Sequence, residues 1–552
     1  MSTSALGLNG LIAVPLGFAL LALLVRFRET RPETGPAQAS DAVDDRLPVA
    51  VAVLGSVATL GWSAWVAVLS RSGLDHSRVD AVWIAAIDVH WRLGVDGISA
   101  PLILLSTLVT ACCVISLVRH APDCGERVNL AVLLLLIETG VLGCFLALDM
   151  VLFFLFFEVA LIPMWFVVNS WGDAHDEAGR RRAATRFLVF TVLGSALMLV
   201  GFLLVRSSAG TFDITGVAAQ AAGSTYDLGS PTAVLASILI ALGLGVKTPL
   251  WPLHIWLPDA HSKAPTVGSV LLAAVLLKLG TYGFVRFWVP VTDPSWQLLV
   301  PVVAALSVVG IVYAALACLA QTDLKRLIAY SSVGHMGFVV LGVTTFTTGG
   351  VQAAVYASVA HGLITGLLFF IAGAIKDRYG TTDLTRLRAL YGRVPRLAGV
   401  FAFAAIASLG LPGLAGFWGE MLAIRSAADP AATLPSGTFV VLAVIAALGV
   451  ILTTAYFLAV IRTMLQGAPP EVRPVNVGTR SVELETAEAD PGPSAAALPP
   501  ASDAPSAASD VDRLEWVVWS PLVALTVLLG VAPGLLLTPV ADAARALFGG
   551  PG

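Results

Sequence analysis

Long apolar runs alternate with short polar breaks along almost the whole chain. An α-helix needs ~20 apolar residues to cross a bilayer. By that measure fourteen runs qualify, near residues 7–25, 48–70, 97–118, 129–147, 150–170, 185–205, 232–253, 265–287, 297–319, 326–345, 351–374, 397–424, 437–461 and 516–543. They are numbered spans 1 to 14 below. Only a tight "LALDM" turn separates spans 4 and 5, which makes them antiparallel neighbours. The pattern predicts an all-α polytopic membrane protein.

Composition agrees. Of the 552 residues, 57% are hydrophobic and 12% charged, too little charge to cover a water-soluble surface. The formal net charge is −4 and basic residues form no stripe among aromatics, so nothing points to nucleic acid. Positive charge sets orientation. With both termini outside, the inside segments hold 23 of the 32 Lys and Arg, the outside segments 7, and Lys247 and Lys278 lie within spans. Arg26, Arg28 and Arg31 follow the first apolar run instead of preceding it, so span 1 reads as a retained helix, not a cleaved signal. The cysteines at 112, 113, 124, 144 and 318 make no C-x-x-C pair and read as small apolar fillers, with no metal site expected.

Two segments stand apart from the membrane body. Residues 27–46 are polar and charged, and residues 467–512 are rich in Pro, Ala, Ser and Glu. The second has too few large apolar residues to pack a core and is expected to be a disordered cytoplasmic linker. The resulting division is 1–128 (spans 1–3), 129–290 (spans 4–8), 297–465 (spans 9–13), 466–513 (linker) and 514–552 (span 14).

Ionisable residues at membrane depth cost roughly 2.5–3.5 kcal/mol each on insertion scales. Six occur: Glu158 in span 5, Lys247 in span 7, Lys278 in span 8, His335 in span 10, His361 in span 11 and Glu420 in span 12. Each has a plain structural counterpart. A lone histidine can be a packing donor, Lys278 can snorkel, Glu420 can lie near an interface, and a Glu–Lys pair can be purely structural. Six such groups on six spans favour a series of proton-transfer stations, because each type can change its protonation state. Glu158 and Lys247 are the pair nominated for charge coupling.

The stretch "KTPLWPLHIWLP" places Pro249 and Pro252 directly after Lys247. Prolines remove backbone donors and break a helix, and irregular backbone at membrane depth is tolerated only where it is buried or lines a hydrated cavity. The plainer alternative is that the prolines end span 7 at the cytoplasmic face. In span 12, "SLGLPGLAGFWGE" repeats the arrangement, with Pro412 before Glu420. Spans 7 and 12 are five apart, so spans 4–8 and 9–13 form a candidate pair of inverted five-helix repeats with broken helices 7 and 12.

The segments "KTPLWPLHIWLPDAHSKAPT", "LLKLGTYG", "LKRLIAYSSVGHMGF", "AHGLITGLLFF" and "GLPGLAGFWGE" resemble the antiporter-like, proton-translocating membrane subunits of respiratory complex I, over about residues 90 to 465. The nearest pattern is the bacterial M-type chain, because Glu420 stands where related L- and N-type chains usually carry lysine. The resemblance implies that Glu158 modulates Lys247, Lys278 bridges to the second half, His335 and His361 relay, and Glu420 is the exit-side acid. It also implies sister antiporter-like subunits on both sides, contact with lipids, and a multi-pass place in the bacterial inner membrane with both termini periplasmic. The chain would be a non-redox part of an NADH:quinone oxidoreductase. It would hold no cofactor itself, while FMN, iron–sulfur clusters, NADH and a quinone would work elsewhere in the complex. The alternatives are a subunit of an Mrp-type cation/proton antiporter and a non-transporting scaffold.

Overall fold

The computed structural model describes residues 3–29, 45–69, 78–119, 126–296, 298–466 and 510–548. Among these, twelve helices are long and apolar enough to cross a membrane. Two shorter apolar helices, Pro231–Lys247 and Pro395–Ser408, stand where spans 7 and 12 were expected to break. The polar segment at 30–44, Cys124 and the linker at 467–509 lie outside the described residues.

Spans 1 to 6 are Thr3–Glu29, Arg46–Leu69, Ser99–Ser116, Arg127–Leu146, Met150–Trp171 and Glu177–Ala209. Span 8 is Thr266–Val291, and spans 9, 10, 11 and 13 are Leu299–Leu319, Leu324–Val343, Thr348–Tyr379 and Ser436–Leu465. The apolar stretches of spans 8 and 11 are wholly buried, whereas spans 1, 13 and 14 bury about a third of theirs. Spans 8 and 11 therefore form the centre of the bundle. Helices that are apolar all round belong there.

Small residues set the closest crossings. A Cβ on Gly140 of span 4 would stand 2.5 Å from the Ala160 backbone nitrogen of span 5. Asp149, in the turn between these spans, accepts from the N–H groups of Val151 and Leu152 and starts span 5.

The turn also carries a repeated device. Met150 N–H donates to the Phe212 carbonyl (3.0 Å) and Ile214 N–H to the Leu148 carbonyl (3.1 Å), bridging Asp149 to Asp213. Leu324 N–H donates to the Thr382 carbonyl (2.9 Å) and Leu384 N–H to the Thr322 carbonyl (2.7 Å), bridging Asp323 to Asp383. The first bridge joins the start of span 5 to the end of span 6, the second the start of span 10 to the end of span 11. Five crossings separate them, so they lie at opposite ends of the bundle, as inverted halves would place them.

Two features add to the helical reading. Between spans 2 and 3, β1 (Arg78–Ile84) and β2 (Val89–Gly94) pair antiparallel, with Asp80 opposite Arg92. Span 14 consists of Arg513–Val531 followed, after Ala532 and Pro533, by a separate helix Gly534–Leu547. Proline has no N–H to continue the first helix.

The start of span 14 is clamped to the basic end of the bundle. Asp510 accepts from the N–H groups of Arg396 (2.9 Å) and Leu397 (3.0 Å), the first turn of the inner half of span 12. Val394, that helix's own cap residue, makes no side-chain capping bond. Arg378, at the end of span 11, grips Glu515 with two bonds of 2.8 and 2.7 Å.

Candidate functional site

Lys247 is the last residue of the Pro231–Lys247 helix and is 1% exposed. The next nine residues form turns before a short helix at Leu257–Lys263. Pro249 and Pro252 lie inside this break, while Pro258 opens the short helix. The freed backbone finds partners: Leu250 N–H donates to the Gly245 carbonyl (2.8 Å) and the Trp256 indole N–H to the Val246 carbonyl (3.0 Å). Gly280 of span 8 lets that helix abut the break, since a Cβ there would meet Thr248 Oγ1 at 2.3 Å.

The Lys247 ammonium makes no ion pair and donates no hydrogen bond among the described residues. It lies 4.8 Å from the Phe157 ring centre and 5.8 Å from that of Phe187. Glu158 and Cys144 are its electrostatic neighbours, without direct hydrogen bonds to it. Glu158 is only half-buried, on the face of span 5 that exposes Val159, Ile162 and Phe166.

The second group is directly connected. Lys278 is fully buried, and its Nζ donates to the Ala273 carbonyl at 2.6 Å. That carbonyl belongs to a π-helical segment, Leu272–Leu276, whose wider turn realigns the backbone acceptors. Nζ also stands 2.6 Å from His361 Nδ1. With the ammonium as donor, Nδ1 accepts and the ring proton stands on Nε2. The His361 and His335 rings meet edge to face with centroids 5.6 Å apart. His335 Nδ1 is 2.9 Å from Glu420 Oε1. Span 8 is thus joined through spans 11 and 10 to span 12.

Glu420 sits just beyond the second break. Span 12 stops at Ser408, turns through Gly410 and Pro412, and resumes at Ala415–Ala428. Gly410 has φ +72, and a Cβ there would approach Glu420 Oε2 to 3.0 Å, so glycine serves both the turn and the carboxylate. A cavity of about 20 Å³ touches His335, His361, Thr365 and Glu420. That is room for one water. His335 Nε2, His361 Nε2 and Thr365 Oγ1 have no protein partner.

The structure brings Lys278, His361, His335 and Glu420 into one chain and leaves Lys247 with Glu158 as a separate, aromatic-lined pair. Sequence reasoning passed over His261 and Lys325. His261 is fully buried and stacks on Phe369 with centroids 4.5 Å apart, and Lys325 and Lys278 are its electrostatic neighbours. Lys325 Nζ donates to the Ala264 carbonyl (3.1 Å) and faces a cavity of about 110 Å³ shared with Asp173, Lys376 and Glu515. Burial opposes ionisation of Asp173, yet Lys376 and Lys263 at 3.6 and 3.5 Å outweigh it and hold the carboxyl below its usual range. The available signal was local: His261 stands in "DAHSK" just after the first break, and Lys325 beside Arg326 at the start of span 10.

Fold and site together define a polytopic membrane protein that strings ionisable groups between two broken helices. Residues 147–448 match the family described as the NADH:quinone oxidoreductase/Mrp antiporter transmembrane family, and the chain belongs to it. It is 37% identical over 467 residues to NADH-quinone oxidoreductase subunit M of Rhodobacter capsulatus, covering 83% of this chain and 81% of that one. It is 40% identical over 390 residues to chain 4 of a Synechococcus NAD(P)H-quinone oxidoreductase, covering 70% and 71%. A chain of respiratory complex I from Thermus thermophilus superposes with TM-score 0.78 at 28% identity, covering 98% of this chain and all of that one. A chain of the Mrp complex from Dietzia gives 0.80 at 22% identity, covering 99% and 98%, a likeness of fold.

Proposed function

We propose that this chain is a proton-translocating membrane-arm subunit of an NADH:quinone oxidoreductase, driven by redox chemistry in other subunits. The observation that carries the reading is the 2.6 Å contact between Lys278 Nζ and His361 Nδ1, continued through His335 to Glu420. It links the middle of the bundle to its second broken helix through groups that can each hold or release a proton.

In this mechanism Lys278 protonated donates toward His361. The proton passes by way of the His335–His361 cavity to Glu420, and the Glu420–His335 contact holds the acceptor in place. Lys247 is loaded or unloaded as the charge of Glu158 changes. Its aromatic cage favours a cation without neutralising it. Glu158 is half-buried, with Oε1 enclosed and unpartnered, beside an outer face of span 5 that exposes Val159, Ile162 and Phe166. That favours a neighbouring membrane-arm subunit covering span 5, as the two-sided assembly requires. The positive-charge bias puts the basic end, with Asp510 and Arg378, in the cytoplasm and both termini in the periplasm of a bacterial inner membrane. FMN, iron–sulfur clusters, NADH and quinone belong to partner subunits in this reading.

The test is to purify the tagged chain from its native membrane in mild detergent and assay NADH:quinone oxidoreductase activity. Co-eluting activity with flavin and iron–sulfur absorbance supports the assignment. In that complex, Lys247→Ala and Glu158→Ala are expected to cut proton translocation sharply. A stable eluate of small hydrophobic partners without redox absorbance, or full translocation in both variants, refutes it. The first of these results would favour the antiporter alternative.

A further inference from the structure

The two halves of the chain repeat a small arrangement around a tyrosine and fill it differently. Cys144, Asp149 and Tyr282 stand at the same mutual spacing as Cys318, Asp323 and Tyr456. Each cysteine thiol donates to the carbonyl nine residues on, Cys144 to Phe153 (3.7 Å) and Cys318 to Leu327 (3.4 Å). In the first half the space beside the tyrosine is occupied. Tyr282 Oη–H donates to the Phe145 carbonyl at 3.1 Å, and Arg286, four residues on, lies 5.5 Å from its ring centre and pairs with the buried Asp96. In the second half the residue four places after the tyrosine is Val460. It lines a cavity of about 220 Å³ instead, room for several waters.

This cavity reaches in from the basic end of the bundle. Its rim carries the exposed Thr322, Thr385, Arg388 and Thr463, and the buried Tyr456 lines it deeper in. Along span 13, Tyr456 lies two turns, about 10 Å, inward of Thr463. On span 10, Leu327, Ser331 and His335 follow one another on one face at intervals of about a turn. Leu327 lines the cavity, Ser331 neighbours the Tyr456 hydroxyl, and His335 holds Glu420 at 2.9 Å. Glu420 is itself an electrostatic neighbour of Tyr456. Tyr456 thus stands between the acceptor end of the row and a hollow that, in the orientation proposed above, opens to the cytoplasm.

The hydroxyl does not continue the path. Ser331 Oγ–H is committed to the Ile328 carbonyl at 2.8 Å, so a bond from Tyr456 to Ser331 ends on backbone. To hand on a proton by itself, the phenol would have to leave a buried anion beside Glu420. We infer that Tyr456 is the barrier between Glu420 and the cytoplasm: its ring closes the inner end of the cavity, so a proton brought by the row cannot fall back. Without the ring, water in the hollow would reach the Glu420 contact. The proton on Glu420 would then pass to that water and return to the cytoplasm, leaving the carboxylate empty and the transfer without net movement. The inference rests on the proton-translocating reading above.

The experiment uses the assembled complex in sealed vesicles with the cytoplasmic face outward. Proton translocation per NADH oxidised is measured for Tyr456→Ala, Tyr456→Val and Tyr456→Phe. Each is also combined with Ser331→Cys, which places a thiol just behind the ring, and labelling at that position by a small charged thiol reagent added outside is followed. In both truncations, labelling should at least double and translocation at least halve while NADH oxidation continues. Tyr456→Phe should keep both near normal, because the ring and not the hydroxyl makes the seal. Unchanged labelling or normal translocation in the truncations overturns the inference. So does loss of translocation in Tyr456→Phe, since the hydroxyl would then carry the proton. Lys247→Ala and Glu158→Ala are measured alongside. Full translocation in both overturns the functional reading, whereas loss there with normal Tyr456 truncations overturns this inference alone.

Discussion

Asp510 offers a measurable test of how the end of the linker bears on the second broken helix. Its carboxylate receives the N–H groups of Arg396 and Leu397, 114 and 113 residues away in sequence, at 2.9 and 3.0 Å. Replacing an N-cap acid by alanine typically costs about 0.5–2 kcal/mol, and a charge at a helix N-terminus contributes about 0.3–1 kcal/mol of comparable origin. Because no local side chain caps this helix, Asp510→Ala should increase opening of its first turn by a factor of about 2 to 30. Hydrogen–deuterium exchange at residues 396–399 of the assembled complex measures this directly. Burial works against ionisation of Asp510, but the N–H donors of Arg396, Leu397 and Val511 prevail and hold it below the usual carboxylate range. The cap is therefore complete at neutral pH and is lost only as pH falls through that lowered value. The same variant should show no added exchange relative to the unsubstituted chain once Asp510 is protonated. Unchanged exchange at neutral pH would refute the trans cap.

Three further outcomes follow from packing and charge. Gly140→Val should lower the yield of assembled chain, because the new Cβ meets the Ala160 backbone at 2.5 Å and overpacking costs typically 1–3 kcal/mol; normal thermal stability in detergent would contradict this. Arg286→Met strands the buried Asp96 carboxylate and should cost about 3–5 kcal/mol, whereas adding Asp96→Asn should restore part of it; equal stability of single and double variants would show that the pair is not coupled. In the hairpin, the hydrogen bond to Asp80 at 2.5 Å raises the His90 pKa above its ordinary value, against slight burial and the Arg92 charge, with Asp88 assisting. This stabilisation is complete below about pH 6.5, and is lost as pH rises through the raised value, so amide protection across Arg78–Gly94 should fall over that interval and stay flat in His90→Gln.

Much of this protein was legible in the chain itself. The runs of apolar residues determined the number of spans, because only a helix of that length satisfies its backbone in lipid. "KTPLWPLHIWLP" and "GLPGLAGFWGE" announced both breaks, since missing donors and a left-handed glycine act locally. The six ionisable positions were evident from their cost in hydrocarbon. Which of them touch was not. Lys278 and His361 are 83 residues apart, His335 and Glu420 85, and only the packing of spans 8, 10, 11 and 12 brings them together. Asp510 reads as part of a polar linker until the fold places it on a helix end 114 residues away. Local chemistry is written along the chain, while the contacts that pass a proton depend on distances between segments, and those exist only once the bundle has closed.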